Sequence, residues 1–471
     1  MLSMKRLFLM LIAGLTIFSS CKKDKIAPAN QKDAFVKYYG HIRDQKASDI
    51  KSTADGGYLL LGSSNSFAST SDDDFYLIKT DSLGNEEWSK SFGDGEGGFD
   101  EEGVSIVVLA NDEGYLIAGN RTKMVLVGTQ TRPEATNIVL YKLDLTGNVV
   151  WEKVLRVSAT PKNDWVKEIK QTPEGAFVLI GETTKVFTGK NEYTRFAAYD
   201  KQDILVLKLD ADANIIWESL RGFIGVDYGS NIEFVNGAYI IIGTVDVKIG
   251  EVQNIPIIEK RILSAKLNAT NGNESIAVSF GGTDMFVTTA YSCYDSINGL
   301  ITIIAHVDDI ESVIDPREGD MIVLQVTENI VEVSRKYYGK TSGGINGIDQ
   351  NITAGFISSV PPQVQGDQPS FIITGTHGVG NGGSEIMLLK LNPDLSVAWN
   401  GQARFFGRPG ENGNWLPGNE AEKVLPIEEL VPGTSRKELK GYAFTATFNM
   451  GTNNMIGLVK TNAEGTMKPV N

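Results

Sequence analysis

The sequence predicts an all-β protein built from repeated hairpins. The stretch NIVLYKLDLTGNVVWEKVL, residues 137–155, has apolar, β-branched runs on both sides of a turn, which is typical of two β-strands in a hairpin. Related stretches begin at Asp74, Asp203, Arg261, Asp320, Glu385 and Met455, so the chain carries seven copies. Each repeat spans about 50 to 70 residues with four strand-like segments and no helical period. These observations predict a seven-bladed β-propeller of four-stranded antiparallel blades.

The four segments of a repeat predict the order of strands within a blade. A mixed polar and apolar segment such as 104–109 comes first, and a Gly-led apolar segment such as 114–119 follows. The NIVLYK-type strand and the Trp-bearing strand come next, joined by an Asp-x-x-Gly-Asn turn that is too short to connect two blades. We therefore expect the mixed segment to be innermost and the Trp-bearing strand outermost.

The chain opens with a strand of the Trp-bearing type, residues 34–40, that has no blade of its own. We expect this strand to complete the last blade beside residues 455–460, which closes the ring between the two ends of the chain. No linker or charge block interrupts the repeats. Residues 34–471 are therefore predicted to form one propeller domain.

The repeat resembles that of secreted bacterial β-propeller proteins, whose units read roughly W-x-K-x-F-G-G, then D-G-G-Y-x-x-x-G, then D-x-Y-x-x-K-x-D-x-x-G. The matching residues are Trp88, Lys90, Phe92, Gly93, Gly114, Tyr115, Gly119, Asn137, Lys142, Asp144 and Gly147. The resemblance implies the propeller fold and export from the cytoplasm. It implies no shared reaction, because such propellers serve many roles.

The N-terminus indicates export. Lys5 and Arg6 precede an apolar run at residues 7–18. This run is shorter than the ~20 residues that span a bilayer, so residues 1–20 are predicted to be a signal peptide.

Cys21 follows two small residues and resembles the acylation site of bacterial lipoproteins. The resemblance implies cleavage before Cys21 and attachment of lipid, palmitate included, to its sulfur. Residues 21–33 lack apolar periodicity and are predicted to be a lipidated tether. Lys22 stands where the best-known sorting rule places Asp for inner-membrane retention, so we expect a lipid anchor in the outer membrane. An ordinary signal peptide with an incidental Cys is the alternative.

Charge and cysteine content restrict the remaining possibilities. The formal net charge is −14, which argues against nucleic acid as a partner. Cys21 and Cys293 are the two cysteines of the sequence. Lipidation of the first leaves the second without a disulfide partner, and we expect Cys293 to be a buried, unreactive thiol.

Loop lengths predict where function lies. In a four-stranded meander, the first and third turns of every blade share one face, and here these turns are mostly minimal. The opposite face carries the links between the second and third strands and between blades. These long segments are 93–102, 120–136, 182–202, 244–260, 306–319 and 401–419. Two insertions, 359–369 and 427–440, lie on the tight-turn side. Variable loops on a rigid scaffold predict a binding face.

Two of these loops combine aromatic residues with arginine, as sites for a sugar ring or a protein partner often do. The candidate ligand-binding residues are Tyr193, Phe196, Tyr199, Arg404, Arg408 and Trp415. The alternative is that these side chains pack inward and hold their long loops in place.

Asp94, Glu96 and Asp100 alternate with glycines at 93–102 and could form a cradle for Ca²⁺. The full twelve-residue calcium loop is absent, so a solvated acidic turn is the alternative. The acidic stretch 308–320 is a weaker candidate of the same kind. No other cofactor is expected.

Catalysis finds little support in the sequence. His41, His306 and His377 lie in different repeats, where we expect surface or loop positions, and neither HExxH nor G-x-S-x-G occurs. We therefore predict non-catalytic binding of an envelope protein or a glycan. The alternatives are a propeller enzyme acting on polysaccharide and an outer-membrane assembly factor analogous to the propeller lipoprotein of the barrel-assembly machinery.

Overall fold

The chain forms a ring of seven four-stranded antiparallel sheets. The computed structural model describes residues 34–67, 72–93, 98–155, 163–184, 202–223, 225–253, 255–281, 285–309, 319–338, 352–364, 366–379, 382–407, 416–434 and 437–467. Consecutive sheets pack against each other, and the first strand of each sheet contacts the first strand of the next. This is the seven-bladed β-propeller that the sequence predicts.

The blades follow the predicted order of strands. From the inner to the outer strand, the first four blades are β2 (Gln45–Ser52), β3 (Tyr58–Ser64), β4 (Asp74–Thr80) and β5 (Glu86–Phe92); β6 (Phe99–Val108), β7 (Tyr115–Val127), β8 (Gln130–Leu143) and β9 (Val149–Leu155); β10 (Asp164–Gln171), β11 (Phe177–Thr183), β12 (Asp203–Leu209) and β13 (Ile215–Arg221); and β14 (Tyr228–Val235), β15 (Ala238–Val252), β16 (Ile255–Asn268) and β17 (Glu274–Phe280).

The last three blades complete the ring. They are β18 (Met285–Asp295), β19 (Leu300–Asp309), β20 (Gly319–Thr327) and β21 (Glu332–Tyr338); β22 (Ile352–Val360), β23 (Ser370–Val379), β24 (Gly383–Leu391) and β25 (Arg404–Phe406); and β26 (Glu420–Leu430), β27 (Lys437–Asn449), β28 (Asn454–Asn462) and β1 (Phe35–Tyr39). β1 pairs antiparallel with β28, Phe35 opposite Lys460 and Tyr39 opposite Ile456. The predicted closure by the N-terminal strand is confirmed.

The core consists of seven apolar clusters, one between each pair of neighbouring blades. Each blade therefore buries both faces, which is why strands such as β3 and β11 are apolar at successive positions and buried throughout. Trp151 packs against the cluster between the second and third blades. Cys293 is buried in the cluster between the fifth and sixth blades.

The repeated turn connects neighbouring blades. Asp144 accepts backbone N–H bonds from Thr146 at 2.9 Å and Asn148 at 2.8 Å, and Gly147 has φ 76°. A Cβ on Gly147 would lie 2.8 Å from the ring of Trp88, a residue of the preceding blade. The same close approach joins Trp217 to Gly272 and Trp399 to Gly465. Strand lysines add bonds to the turn asparagines: Lys37 to Asn85 at 2.5 Å, Lys90 to Asn148 at 2.6 Å and Lys153 to Asn214 at 2.6 Å.

The two faces of the disc differ as expected. The tight-turn face carries the turns after the first and third strands of each blade, such as 53–57 and 81–85. The loop-rich face carries the links after the second strand and those between blades. Two of the predicted loops there, 120–136 and 244–260, are instead paired strands, because β7–β8 and β15–β16 continue as long hairpins. On the opposite face, 427–440 is likewise mostly hairpin.

The sixth blade departs from the repeat. Its outer strand β25 has only three residues. The stretch around its Trp, Ala398–Gly401, is a turn in which Trp399 and Asn400 have left-handed backbone angles, with φ 52° and 61°. This differs from the Trp-bearing strand that the repeat pattern predicts there. Among the described residues, no helix is long and apolar enough to cross a membrane.

Candidate functional site in the central channel and on the loop-rich face

The seven inner strands surround a central channel with two cavities. The channel mouth is the cavity toward the loop-rich face, of about 340 Å³, and the channel floor lies toward the tight-turn face, of about 360 Å³. Lys167, Tyr291, Phe356 and Lys423 line both, so the cavities meet near mid-channel. The mouth is lined by Lys46, Ala47, Ser48, Glu102, Val104, Lys167, Glu182, Tyr228, Gly229, Ser230, Thr288, Thr289, Tyr291, Phe356, Glu422 and Lys423.

A layer of paired charges crosses the middle of the channel. Its members are Asp49, Lys51, Glu168, Lys170, Glu233 and Lys423. The Lys423 Nζ lies 3.3 Å from Asp49 Oδ2 and 3.9 Å from Glu168 Oε1, which connects three different blades. Lys51 lies 3.2 Å from Asp49, and Lys170 lies 3.0 Å from Glu233. Three lysines balance three carboxylates, so this layer holds the inner strands together with no net charge.

The pKa of Asp49 reflects this pairing. Its complete burial favours the protonated form, but the positive charges of Lys423 and Lys51 outweigh burial and hold the pKa below its usual value. The pKa of Glu168 is likewise lowered: Lys170 and Lys423 outweigh burial. Both carboxylates are therefore ionised at neutral pH.

Polar side chains at the same level bind the next inner strand. Asp49 Oδ2 accepts the N–H of Ile106 at 2.8 Å, and Glu168 Oε2 accepts the N–H of Ile232 at 3.0 Å. Ser105 Oγ and Asn231 Oδ1 accept the corresponding N–H groups of the blades that follow them, at 3.3 Å and 3.0 Å. These residues connect successive inner strands, and backbone N–H groups satisfy the hydrogen-bonding capacity of their buried oxygens.

Three carboxylates gather at the channel mouth. Burial raises the pKa of Glu182 to about 7, against the attraction of Lys167 and a hydrogen bond from Gln202. Burial also raises the pKa of Glu422 well above its usual value, against the charges of Lys46 and Lys423. The charge of Glu102 raises both values further. The Glu182 carboxyl at the mouth is therefore partly protonated near neutral pH.

Aromatic rings form one wall of the mouth. The rings of Tyr291 and Phe356, from the fifth and sixth blades, have centroids 4.2 Å apart. Lys423 lies over the Phe356 ring at 5.8 Å, and Lys260 lies over Tyr228 at 5.0 Å. The mouth thus combines an apolar platform with charged and hydroxyl groups.

The structure describes only part of the predicted site. Arg404 lies on β25, where it stacks over Trp399 at 5.0 Å and donates to the Glu464 carbonyl at 3.3 Å. Its role as a ligand contact stays a prediction. Outside the described residues lie Tyr193, Phe196, Tyr199, Arg408, Trp415, Asp94, Glu96 and Cys21.

Asp100 is described, and its Oδ1 accepts the N–H of Asp73 at 2.9 Å. Over the described part of the chain, no group of three or more His, Cys, Asp or Glu side chains is arranged to hold a metal ion. The calcium hypothesis for the 93–102 loop stays a prediction. The expectation of surface or loop histidines is wrong for His306, which is buried within β19.

The residues that line the channel are not among the candidates predicted from the sequence. The sequence does contain a sign of them. The mixed segments carry charged and polar residues, whereas an inner strand buried on all sides would be apolar. Lys167 and Ser230 lie at β-bulges, where the register of β10 and β14 shifts, and both line the mouth. Phe356 lies at the corresponding irregularity of β22. Polar residues at the bulges of the first strands therefore indicate which side chains line the channel.

No family model and no curated protein matches the sequence. Solved structures are similar in fold. BamB from Moraxella catarrhalis has 11% identity and a TM-score of 0.37, over 90% of this chain and 100% of that chain. A glycoside hydrolase family 43 arabinoxylan arabinofuranohydrolase from Bacillus subtilis has 13% identity and a TM-score of 0.34, over 90% and 96%. The NanB sialidase from Streptococcus pneumoniae has 9% identity and a TM-score of 0.40, over 91% and 70%. Similarity this low supports no inference about function.

Proposed function

We propose that this protein is a cell-envelope lipoprotein that acts as a non-catalytic binding scaffold. Its loop-rich face holds a protein partner or a glycan, and Cys21 carries the lipid anchor. The observation that carries this proposal is the pair of long hairpins, β7–β8 and β15–β16, which extend from a disc whose opposite face has mostly minimal turns. β7 has 13 residues and β15 has 15, against 7 in the corresponding strand β3. At about 3.3 Å per residue, the added length projects roughly 20 Å for β7 and roughly 26 Å for β15.

The ends of both hairpins are apolar and exposed. Leu126 and Val127 are 72% and 55% exposed at the end of the first hairpin. Val252 and Ile257 are 58% and 44% exposed at the end of the second. Exposed apolar side chains on projecting elements are typical of surfaces that become buried by a partner. A rigid ring beneath them keeps the ordering cost of binding low.

Capture from solubilised envelopes tests this proposal. The full-length protein is expected to copurify with a stoichiometric protein partner or a defined glycan. The double variant Leu126→Lys/Val127→Lys should reduce the captured partner at least tenfold. The matched control is Val149→Lys/Val150→Lys, which changes two adjacent apolar residues of β9 that are 48% and 59% exposed. If both variants capture the partner equally, the hairpin ends are not the binding surface. If the wild type captures neither a protein nor a glycan, the binding-scaffold proposal is wrong. A membrane-protein partner would favour an assembly role.

A second candidate, an enzyme acting on polysaccharide, is favoured by the carboxyl groups of raised pKa at the channel mouth. A carboxyl that is protonated near pH 7 can serve as a general acid. Purified protein would then shorten envelope or plant polysaccharides, and Glu182→Gln or Glu422→Gln would abolish the cleavage. Polysaccharides that stay intact after prolonged incubation with the wild type would eliminate this candidate.

A further inference from the structure

We infer that the channel mouth is a carbohydrate-binding site, which receives a pyranose unit of a glycan against the rings of Tyr291 and Phe356. This inference rests on the proposed binding function and narrows it to one ligand class at one place. The hairpin ends and the channel mouth share the loop-rich face, so one glycan chain could reach the mouth from the side on which partners bind.

The size and wall of the mouth fit a sugar ring. Its volume of about 340 Å³ falls in the range of about 300–1,000 Å³ that is usual for small-molecule sites. The Tyr291 and Phe356 rings are tilted by 41° and give the cavity an apolar side. The C–H face of a pyranose can pack on such rings while its hydroxyl groups point to polar atoms elsewhere in the cavity.

Polar atoms without hydrogen bonds line the rest of the mouth. Within the described residues, Glu182 Oε1, Thr289 Oγ1 and Lys423 Nζ are buried and lack a hydrogen bond. Two of them have ion-pair neighbours at longer range, since Lys423 Nζ lies 3.3 Å from Asp49 Oδ2 and Glu182 Oε1 lies 3.8 Å from Lys167 Nζ. Glu182 is only 4% exposed, so a carboxyl oxygen without a hydrogen bond is unfavourable there. A hydroxyl group both donates and accepts. A ligand rich in hydroxyl groups can therefore satisfy the carboxyl oxygen, the threonine hydroxyl and the ammonium group together.

The mouth carries ammonium and carboxyl groups together, so it suits a ligand with many hydroxyl groups better than a simple ion. Lys46, Lys167 and Lys423 face Glu102, Glu182 and Glu422 across the same cavity. A simple anion would meet three carboxyl groups and a simple cation three ammonium groups. A sugar unit avoids both repulsions and uses all the polar groups as hydrogen-bond partners.

Binding to an array of glycans that present neutral, amino and uronic-acid sugars tests the inference. The strongest array ligand is then titrated calorimetrically against full-length wild type, Phe356→Ala and Glu182→Gln. We expect each variant to weaken binding at least tenfold. Glu113→Gln is the matched control, because Glu113 forms an exposed ion pair with Lys142 on the tight-turn face at 3.6 Å, and it should leave the affinity unchanged. Glu182→Gln keeps the shape of the side chain, so it remains informative if Phe356→Ala does not fold.

The outcomes separate this inference from the proposed function. If no glycan binds at millimolar concentration, the inference is wrong, while capture of a protein partner through Leu126 and Val127 would still support the scaffold. Glycan binding that survives both channel variants would overturn the channel mouth as the site. If neither a glycan nor a partner is bound, both proposals fail. Glycan binding lost in the channel variants but kept in the hairpin variant would support the mouth as the site.

Discussion

The outer hairpins and the inner strands of the propeller come from the same repeat but differ in character. The outer hairpins repeat one contact at four of the seven blade boundaries, where an aromatic residue of one blade packs on the turn glycine of the next. The inner strands differ from blade to blade, carrying Asp49 and Lys51 in the first, Glu168 and Lys170 in the third and Lys423 in the seventh. Uniform contacts close the ring, whereas varied residues create one asymmetric channel. Repetition in this chain therefore marks the scaffold, and departure from it marks the candidate site.

Removal of β1 should have the largest effect, because it opens the ring. Phe35 and Tyr39 are buried in the cluster between the seventh and first blades, and the loss of a buried aromatic side chain costs about 3–5 kcal/mol. Two such losses match the whole stability of an ordinary domain. We expect a chain that begins at residue 41 to melt far below one that begins at residue 34. Equal melting temperatures would show that the outer strand is dispensable.

Breaking the charge layer should cost less than opening the ring. Lys423→Met leaves Asp49 buried with Lys51 as its remaining ion-pair partner, and removing one member of a buried pair costs about 3–5 kcal/mol. The control is Lys440→Met, whose partner Glu438 lies 2.8 Å away in a pair that is nearly half exposed, and it should cost under about 1 kcal/mol. Chemical denaturation measures both. Similar costs for the two variants would mean that the inner layer contributes little to stability.

The carboxyl of Glu182 should make the stability depend on pH between about 4.5 and 7. Its folded pKa of about 7 lies above the ordinary value of 4.5, so the folded state holds the proton more tightly. Stability from this group is present below pH 4.5 and is lost as the pH rises through 7, by up to about 3 kcal/mol. Glu182→Gln should therefore raise the stability at pH 8 more than at pH 5. If the unfolding free energies of wild type and variant change in parallel with pH across this range, the pKa of Glu182 is not raised in the folded state.

The smallest expected effect on stability is the difference between alanine substitutions at two turn glycines. Gly147 and Gly175 have φ 76° and 83°, but only at Gly147 would a Cβ meet an indole ring, that of Trp88 at 2.8 Å. Gly175→Ala should cost about 1 kcal/mol for the backbone alone. Gly147→Ala should cost about 1 kcal/mol more, because it also displaces the Trp88 ring. Equal costs in urea unfolding would mean that the ring–turn contact is loose.

The sequence carried enough information for the fold. The seven echoes of one hairpin predicted the number of blades, and the short Asp-x-x-Gly-Asn turn predicted their strand order. Six blades carry a lysine at one position of the repeat, and three of these lysines pair with acidic residues: Lys79 and Lys208 at 2.8 Å and Lys142 at 3.6 Å. The other three have different neighbours: Lys266 bonds Asn329, Lys390 lies over Tyr442, and Lys460 reaches the Ser82 carbonyl.

The candidate site could not be predicted in the same way. Lys423 and Asp49 are far apart in sequence and meet only because the ring closes. The hairpin extensions could not be predicted either, because the polar residues of 120–136 are compatible with both a solvated hairpin and a loop. Local patterns predict which residues form strands, but the contacts at the centre of a ring depend on its closure.

The place where β1 begins has a consequence for how the disc would stand on a membrane. Phe35 pairs with Lys460 and packs against the turn at Gly84, so the chain enters the ring on the tight-turn face. If Cys21 is acylated as the sequence predicts, the twelve residues 22–33 allow a distance of at most about 45 Å between the lipid and this point of entry. In that case the tight-turn face would be the side nearer the lipid, and the hairpins and the channel mouth would lie on the far side.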